Sequence, residues 1–294
     1  MRILLFLTFL FSPFLASALT YDETFPNAQP YADPAVMAFL RSLDYKRGEV
    51  SIPGGQVELD VPDGYYYLGP ADADKVLIDL WGNPKGDTLG MIFPSEYTPF
   101  DQESWGMTIL WDPSGYVKDD DAADIDYPEL LSIMKSDTSA ENEWRRQNNY
   151  PDIRLVGWAA EPYYDQAARK LHWAKEYAFT GDDVNTLNYF LRALGRRGVL
   201  ELNFIAGINQ LEQIKAAIPE VAAIISFNEG SRYRDFVPSM DTVAAVGIGG
   251  LIAGKVVAKT GFLIVALLFL KKFAILLLLP LAWVWKKITG RRDS

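Results

Sequence analysis

The chain lacks cysteine altogether and holds a single histidine, His172, among its 294 residues. Without cysteine there is no disulfide, no thiolate nucleophile and no cysteine-ligated zinc site. One histidine cannot build a histidine-rich metal site, and the G-x-S-x-G motif of many serine hydrolases is missing. A phosphate loop of the G-x-x-x-x-G-K-[ST] kind is missing too. We therefore assign no catalytic residue, no metal site and no cofactor from the sequence.

The N-terminal segment, residues 1–18, has the three-part layout of a secretory signal. Arg2 precedes an apolar run from Ile3 to Leu15, and Ala16-Ser17-Ala18 forms a small-x-small cleavage pattern. The apolar run is too short to cross a bilayer comfortably. We predict that residues 1–18 are a cleaved signal peptide.

The C-terminal end is apolar and then basic. Residues 262–285 are long enough for a transmembrane helix, which needs about 20 mostly apolar residues. Lys271 and Lys272 interrupt the run, at about 2.5–3.5 kcal/mol each on insertion scales. The alternative is a break there, which leaves a stretch too short to span. We predict one span over 262–285 and a basic tail over 286–294, with these interface anchors: Trp283, Trp285, Lys286 and Lys287.

Signal and basic tail together predict the same orientation. The main domain, residues 19–238, is expected in the periplasm and the C-terminus in the cytoplasm, with the span in a bacterial inner membrane. Residues 239–294 hold 8 Lys/Arg and 2 Asp/Glu, which leaves 19 basic and 36 acidic residues in 19–238. Such an acidic body repels phosphate backbones, so nucleic acid is not a predicted partner. The predicted partners are the membrane and an unidentified envelope protein, with a homo-oligomer as an open alternative.

Glycine and alanine dominate residues 239–261, where we predict a juxtamembrane helix. Gly250 and Gly254 form a GxxxG pattern, which allows two helices to approach closely in a membrane. The alternative is a helix lying at the membrane interface, with Lys255 and Lys259 toward the head groups.

Helical and strand patterns alternate along the main domain. Apolar spacing and helix signals predict helices over 35–43, 71–81, 128–149 and 208–226. Thr138 offers a second helix start inside the third, and Pro219 is expected to bend or split the fourth. Alternation predicts a hairpin over 50–61, strands over 89–93 and 105–111, and a four-stranded meander over 153–206. Because no βαβ rhythm appears, the predicted fold class is α+β, an antiparallel sheet meander packed by helices, plus the C-terminal transmembrane helix.

The stretch GYVKDDDAADID, residues 115–126, concentrates five aspartates. An EF-hand needs oxygen ligands at positions 1, 3, 5 and 12 and glycine at position 6. Counting from Asp119 puts alanine at position 5, and counting from Asp120 puts alanine at position 3. Neither register has the glycine. The EF-hand is therefore rejected, and a looser divalent-cation site with distant ligands stays open.

A structural role accounts for one of these aspartates. Asp126, followed by Pro128 and Glu129, has the pattern of a helix N-cap. Capping needs one or two acids, so the surplus must meet solvent, a basic protein or an arginine of the chain. The candidate arginines are Arg192, Arg196, Arg197, Arg232 and Arg234. The candidate interaction residues are Asp119, Asp120, Asp121 and Asp124.

Several segments, taken together, carry a family resemblance. They are WGNPKGDTLGMIFP, GYVKDDDAADID, IRLVGWAAEPYYD, LHWAKE, LGRRGVLELN and FNEGSRYRDF. They resemble a bacterial family of membrane-anchored proteins catalogued as a domain of unknown function, number twenty-one sixty-seven, over residues 48–259. The resemblance implies a signal peptide, an envelope-facing domain and a C-terminal anchor. It implies no activity and no catalytic residue.

Three functional hypotheses follow. The first is a non-enzymatic envelope protein that binds a partner or organises a complex. The second is a periplasmic hydrolase that relies on carboxylates alone, and the third is a divalent-cation-responsive envelope sensor. A buried cleft with two acids, one with a raised pKa, would favour the hydrolase. A convex acidic surface without such a pocket would favour the binding protein.

Overall fold

The computed structural model describes residues 17–83 and 85–254. Its strands are β1 Ser17–Leu19, β2 Tyr45–Ser51, β3 Val57–Val61, β4 Tyr65–Leu68, β5 Gly90–Pro94, β6 Gly106–Asp112, β7 Ile153–Asp165, β8 Lys170–Phe179, β9 Thr186–Leu194, β10 Val199–Gly207 and β11 Ile225–Phe227. They form one sheet in the order β11-β3-β2-β4-β5-β6-β10-β9-β8-β7, with β1 paired to β2. All these neighbours run antiparallel. The predicted α+β class with an antiparallel sheet is confirmed.

The helices are α1 Tyr21–Thr24, α2 Pro34–Arg41, α3 Pro70–Asp74, α4 Tyr127–Gln147, α5 Leu211–Ala223 and α6 Ile248–Ala253. A π-helical turn, Lys75–Leu80, continues α3, so only the first part of the predicted 71–81 helix is α-helical. One residue sets the start of α4, because the Asp126 side chain accepts a hydrogen bond from the Glu129 amide and Pro128 lies in the first turn.

Two predicted interruptions of helices do not occur. α4 runs without a break through Thr138, whose hydroxyl donates to the Met134 carbonyl one turn earlier, so the two-helix alternative is wrong. α5 likewise continues through Pro219. The end of that predicted helix is wrong, because Ile225–Phe227 leave it and pair with β3 as strand β11.

Gly48 lets β2 change partners half-way along its length. Tyr45 and Lys46 pair with β4, whereas Gly48 to Ser51 pair with β3. The φ angle of Gly48 is 77°, which glycine adopts without steric cost. β1 begins at Ser17, inside the predicted signal peptide, so cleavage after Ala18 would leave only Leu19 of this strand. That cleavage stays a prediction, because residues 1–16 lie outside the described chain.

The sheet is covered on both faces, which explains why β9 and β10 are buried throughout. On one face α5 packs through Ile214, Ile218 and Val221 against a core that includes Leu191 and Leu202. We call this the α5 face. On the other, the α6 face, three clusters lie side by side: one under α2 and α3, one under α6 and one under α4.

The glycine-rich segment differs from its prediction within the described residues. Instead of a continuous helix over 239–261, α6 covers only Ile248–Ala253 and ends at Gly254, whose φ is 71°. Ile248, Leu251 and Ile252 are buried in the α6 face of the sheet. Helix packing through Gly250 and Gly254 stays a prediction.

No helix within residues 17–83 and 85–254 is long and apolar enough to cross a membrane. The predicted span over 262–285, with Trp283, Trp285, Lys286 and Lys287, lies outside the described residues.

Candidate functional site

Asp119 is the most strongly bonded of the candidate aspartates. Its carboxylate accepts hydrogen bonds from the hydroxyls of Tyr164, at 2.9 Å, and Tyr233, at 3.1 Å. It also forms a salt bridge with Arg169. The Asp119 side chain is 14% exposed. Asp119 therefore fixes two tyrosines and an arginine that come from separate parts of the chain.

Asp121 has a different structural role. Its two carboxylate oxygens accept from the Ile248 and Gly249 amides at 2.9 and 3.0 Å, so it caps α6 from a distant loop. A Cβ on Gly247 would lie 2.4 Å from that carboxylate, which excludes a side chain there. This contact explains why α6 lies against the domain.

The other two candidate aspartates, Asp120 and Asp124, are exposed. The four aspartates thus divide into two bonded and two solvated side chains. Among the described residues, no three His, Asp or Glu side chains converge as a metal site would need. Three of the five arginines expected to balance the cluster pair elsewhere: Arg192 with Glu201, and Arg196 and Arg197 with Asp241. Within the described chain, the arginine that pairs with the cluster is Arg169, which was not among those expected.

Two of the three residues bonded to Asp119, Arg169 and Tyr233, line a cleft on the α5 face, which we call the cationic cleft. Its volume is about 430 Å³. Its apolar wall is Leu191, Ala193, Leu194, Leu202, Ala222, Ile225 and Phe227, and its cations are Arg169, Lys170, Arg232 and Arg234. No Asp or Glu is among the described residues that line it.

Of these four cations, only Arg169 takes part in a salt bridge within the described chain. Lys170 donates to the Ala222 carbonyl at 3.3 Å, and burial lowers its pKa. Three of the four cations are therefore without a carboxylate partner above an apolar wall.

Aromatic stacking and Asp235 hold the outer wall of the cationic cleft. The Tyr116 ring stacks on Tyr233 at 4.4 Å and on Phe236 at 3.9 Å between centroids. The Arg169 guanidinium lies 4.8 Å from the Tyr233 ring centroid. The Asp235 carboxylate accepts from the amides of Gly230 and Arg232, which fixes the turn carrying Arg232.

His172 does not line the cationic cleft. As its strand position predicts, it shares a face with Lys170, while Leu171 and Trp173 are buried on the other. Its Nδ1 lies 3.4 Å from the Tyr189 hydroxyl. Burial, reinforced by the charge of Lys170, lowers the His172 pKa to about 4, so the ring is neutral at pH 7.

A second cavity, of about 310 Å³, lies on the α6 face between the sheet, α4 and α6. We call it the lysine cavity. Its polar lining is Asp137, Thr138, Glu141, Lys175, Tyr177 and Arg192, and its apolar lining includes Trp173, Phe190, Leu251 and Ile252. Lys175 is 9% exposed, and its ammonium lies 5.0 Å from the Phe190 ring centroid.

Burial changes the titration of the groups in the lysine cavity. It lowers the pKa of Lys175 to about 7, with the charge of Arg192 as the second cause. It raises the pKa of Glu141 to about 7, against the charge of Arg145. Arg192 and Glu201 are both 5% exposed and pair at 3.3 Å, and burial lowers the pKa of Arg192 and raises that of Glu201.

The cavity meets one part of the criterion for a hydrolase. It holds a carboxyl with a raised pKa, Glu141, and a second acid, Asp137. Asp137, however, is exposed at the surface of α4. The group buried with Glu141 is an amine, so the site is an acid–amine pair rather than a pair of buried carboxylates.

Of the residues at the two sites, the sequence assigns only Asp119, at the edge of the cationic cleft, to a candidate interaction site. The residues that line the two sites are not assigned to such a site from the sequence. The only local signal is in β8, where Lys170 and Lys175 stand an odd number of residues apart and so must face opposite sides. The rest depends on residues distant in sequence: Arg169 and Asp119 are 50 residues apart.

The chain has a weak similarity to a solved structure from a cyanobacterium. The solution structure of cyanobacterial PsbP (CyanoP) from Synechocystis sp. PCC 6803 is 12% identical, with a TM-score of 0.34 over 61% of this chain and 91% of that chain. At that TM-score the similarity carries no argument. No curated protein matches the chain.

A family model matches residues 44–282, most of the chain. Its description is "Protein of unknown function (DUF2167)". The match confirms the resemblance carried by the sequence segments. The chain belongs to this family.

Proposed function

We propose that the domain is a binding domain that holds an anionic ligand with an apolar portion in the cationic cleft. The observation that carries this proposal is one cleft that combines an apolar wall with three cations, none of which pairs with a carboxylate among the described residues. A head group bearing a phosphate or carboxylate would meet Arg232, Arg234 and Lys170. Its apolar portion would cover Leu202 and Phe227.

The cationic cleft differs in charge from the rest of the main domain. Residues 19–238 carry 19 basic and 36 acidic residues, so the surface as a whole repels anions. A cleft whose described lining contains cations and no acid reverses that field locally. Retaining charged side chains beside apolar wall residues costs solvation free energy, and an anionic ligand would offset that cost.

The setting we propose is the bacterial envelope. The domain would face the periplasm after removal of residues 1–18, and the span over 262–285 would anchor it in the inner membrane with the C-terminus in the cytoplasm. An envelope protein or a second copy of the chain would be the macromolecular partner. Ligands of the proposed class in that setting are lipid head groups and free organic phosphates or carboxylates.

The ligand is tested with hexyl phosphate, which combines the two required features in one small molecule. Titration calorimetry on the purified full chain in mild detergent should show binding, while hexanol and inorganic phosphate bind at least about tenfold more weakly. Arg232→Gln with Arg234→Gln should weaken hexyl phosphate binding by about tenfold or more. The matched control is Arg154→Gln, an exposed arginine of β7 outside the cleft.

Equal binding by the double variant and the wild type would contradict the cleft as the site. An absence of binding heat both with hexyl phosphate and with heptanoate, the carboxylate that carries the same hexyl chain, would contradict the ligand class. Weaker hexyl phosphate binding in phosphatidylglycerol nanodiscs than in detergent would identify a lipid source, because the lipid head group would then compete for the same cleft. Unchanged binding would identify a free ligand.

Topology is tested by single cysteines, because the chain has none of its own. Ser132→Cys lies at an exposed position of α4, and Ser294→Cys lies at the C-terminus. A membrane-impermeant maleimide should label Ser132→Cys in intact cells and Ser294→Cys only after lysis. The opposite pattern would contradict the proposed orientation.

The partner is tested by crosslinking in cells from the exposed aspartate positions, with a photoreactive residue at Asp120 or Asp124. A crosslinked envelope protein that is lost when the photoreactive residue moves to Arg154 would support a partner. Recovery of self-crosslinks alone would favour a homo-oligomer and contradict a separate partner.

A further inference from the structure

Lys175 is buried in the lysine cavity without a charged partner in contact. No described carboxylate lies within salt-bridge distance of it, and its side chain makes no hydrogen bond to another described residue. The Lys175 ammonium lies over the face of the Phe190 ring, 5.0 Å from its centroid. A buried ammonium is costly unless it is paired, so this position favours the neutral amine.

The sheet surface beside Lys175 is polar, although it is buried. Asn188 stands directly opposite Lys175 in the β8–β9 pairing, and Thr108 stands opposite Asn203 in the β6–β10 pairing. Asn188 Oδ1, Thr108 Oγ1 and Trp173 Nε1 are buried and make no hydrogen bond within the described chain. Of these three residues only Trp173 lines the lysine cavity, so its Nε1–H is a donor that a polar atom of a bound molecule could satisfy.

We propose that Lys175 is a reactive amine that binds a small aldehyde or ketone in the lysine cavity as an imine. The cavity of about 310 Å³ admits a small molecule, and Lys175 and Glu141 both line it. Two features of a nucleophilic lysine are present, namely burial among apolar groups and an adjacent cation, Arg192. This site lies on the opposite face from the cationic cleft and does not depend on the function proposed for that cleft.

The chemistry balances with groups that line the cavity. The Lys175 nitrogen lone pair forms a bond to the carbonyl carbon, the carbonyl π electrons move to oxygen, and one of the two nitrogen protons is transferred to that oxygen to give a neutral carbinolamine. The carbinolamine then loses its hydroxyl as water, with Glu141 as the acid that donates the proton. The nitrogen proton returns to the Glu141 carboxylate. One water leaves, and no redox change occurs.

The shape of the cavity limits the class of carbonyl compound. Phe190, Leu251 and Ile252 form its apolar side, and the polar side includes Arg192, already paired with Glu201. Because Arg192 has its own carboxylate, the site does not require an anionic ligand. We infer a neutral or weakly polar carbonyl compound of a few carbon atoms.

The test is reductive trapping on the purified full chain in mild detergent, with propanal and sodium cyanoborohydride at pH 7.5. Peptide mass mapping then compares propylation rates of lysines within one molecule. We expect Lys175 to react at least about tenfold faster than Lys170, its neighbour on the other face, and Lys215, an exposed lysine. At pH 5.5 the trapping rate at Lys175 should itself fall by about tenfold or more, because its amine is then protonated. The preference over an ordinary lysine should persist, because a lysine with a pKa of about 10.4 loses its free base at least as steeply between these pH values.

Several titratable groups face Lys175, and each limits how the pH profile is interpreted. They are Glu141 and Asp137 from α4, Tyr177 from β8 and Arg192 from β9. Glu141→Gln removes the proton donor and should slow trapping at Lys175 at pH 7.5, although it also removes a charge that favours the ammonium. Faster trapping in Glu141→Gln would contradict the role given to Glu141.

The comparison between lysines of the wild type does not depend on how any variant folds. Trapping at Lys175 no faster than at Lys170 and Lys215 would overturn the proposal, and so would an unmodified Lys175. Lys175→Met should remove the fast-reacting site while leaving the rates at Lys170 and Lys215 unchanged.

Discussion

Lys170 and Lys175 leave the same strand, β8, on opposite faces of the sheet, and each helps to line a different site. In the cationic cleft Arg234 is exposed and the other cations are half-buried, and three of the four form no salt bridge within the part of the chain that the structure describes. In the lysine cavity the amine is 9% exposed beside another cation. The same type of side chain therefore serves as a charge at one site and is pushed toward a neutral base at the other.

The difference also extends to how each site is held together. The cationic cleft is held by a salt bridge between Asp119 and Arg169 that is partly exposed, plus stacking of Tyr116 on Tyr233. The α6 face holds a fully buried pair, Arg192 with Glu201. Partly exposed charges cost little when their partner is removed, whereas buried ones cost much. Charge substitutions at the two sites should therefore differ in effect.

The largest expected effect is on the buried pair. Glu201→Leu leaves the Arg192 guanidinium buried without its carboxylate and should lower the free energy of unfolding by about 3–5 kcal/mol. Urea unfolding of the full chain, followed by tryptophan fluorescence, measures this change. Arg192→Met combined with Glu201→Leu should recover most of the loss, because the pair is then replaced by apolar groups.

A matched substitution in the cationic cleft completes this test. Arg234→Gln removes an exposed charge and should change the free energy of unfolding by no more than about 0.5 kcal/mol. Equal losses for Glu201→Leu and Arg234→Gln would break the contrast between the two faces.

The next effect is a gain in stability at Lys175. Lys175→Met removes a buried amine and should raise the free energy of unfolding by about 1–4 kcal/mol at pH 6. Burial lowers the pKa of Lys175 from 10.5 to about 7, so between those values the unfolded chain binds the extra proton. Stability of the wild type therefore rises with pH in that window, and the gain from Lys175→Met should shrink toward pH 10.

The contribution of Glu141 to stability depends on pH in the opposite sense, so it must be distinguished from the contribution of Lys175. Its pKa is raised by burial from 4.5 to about 7, so the folded chain binds the extra proton between these values. Its contribution therefore falls as pH rises through that window. Lys215→Met, at an exposed position of α5, is the control. If the gain in the free energy of unfolding from Lys175→Met at pH 6 persists unchanged at pH 10, the pH dependence cannot be assigned to Lys175.

A smaller loss is expected at Asp119. Asp119→Asn keeps the size of the side chain but removes the charge that pairs with Arg169 and weakens the hydrogen bonds from Tyr164 and Tyr233. We expect the free energy of unfolding to fall by about 1–3 kcal/mol. Urea unfolding of the full chain measures the loss.

The contrast between the two faces could be predicted only in part from the sequence. Successive side chains of a strand point to opposite faces, so the opposite facing of Lys170 and Lys175 follows from their odd spacing in β8, although Trp173, Ala174 and Lys175 are all buried. Strand β4 was missed because all four of its residues are buried, which hides alternation. Strand β11 is not predicted because only one residue separates it from the end of α5 and it continues the apolar sequence of that helix.

The sites themselves depend on contacts that no local pattern contains. Tyr233 reaches Asp119 across 114 positions of the chain, and Asp121 reaches Ile248 across 127. The excess of aspartates over what one helix cap requires was a correct signal that some have partners. Which aspartates are bonded depends on the packing of α6 and of the turn at Tyr233.

The smallest expected effect comes from the aspartates that the fold leaves in solvent. Asp120→Asn with Asp124→Asn should change the free energy of unfolding by no more than about 0.5 kcal/mol, because both side chains are exposed. Asp119→Asn is the matched substitution one residue away, and the same urea unfolding measures both. A loss for the double variant as large as that for Asp119→Asn would mean that the whole stretch acts as one charged unit. Stability independent of Asp120 and Asp124 leaves these two side chains available for contacts outside the chain, whereas Asp119 serves the cationic cleft.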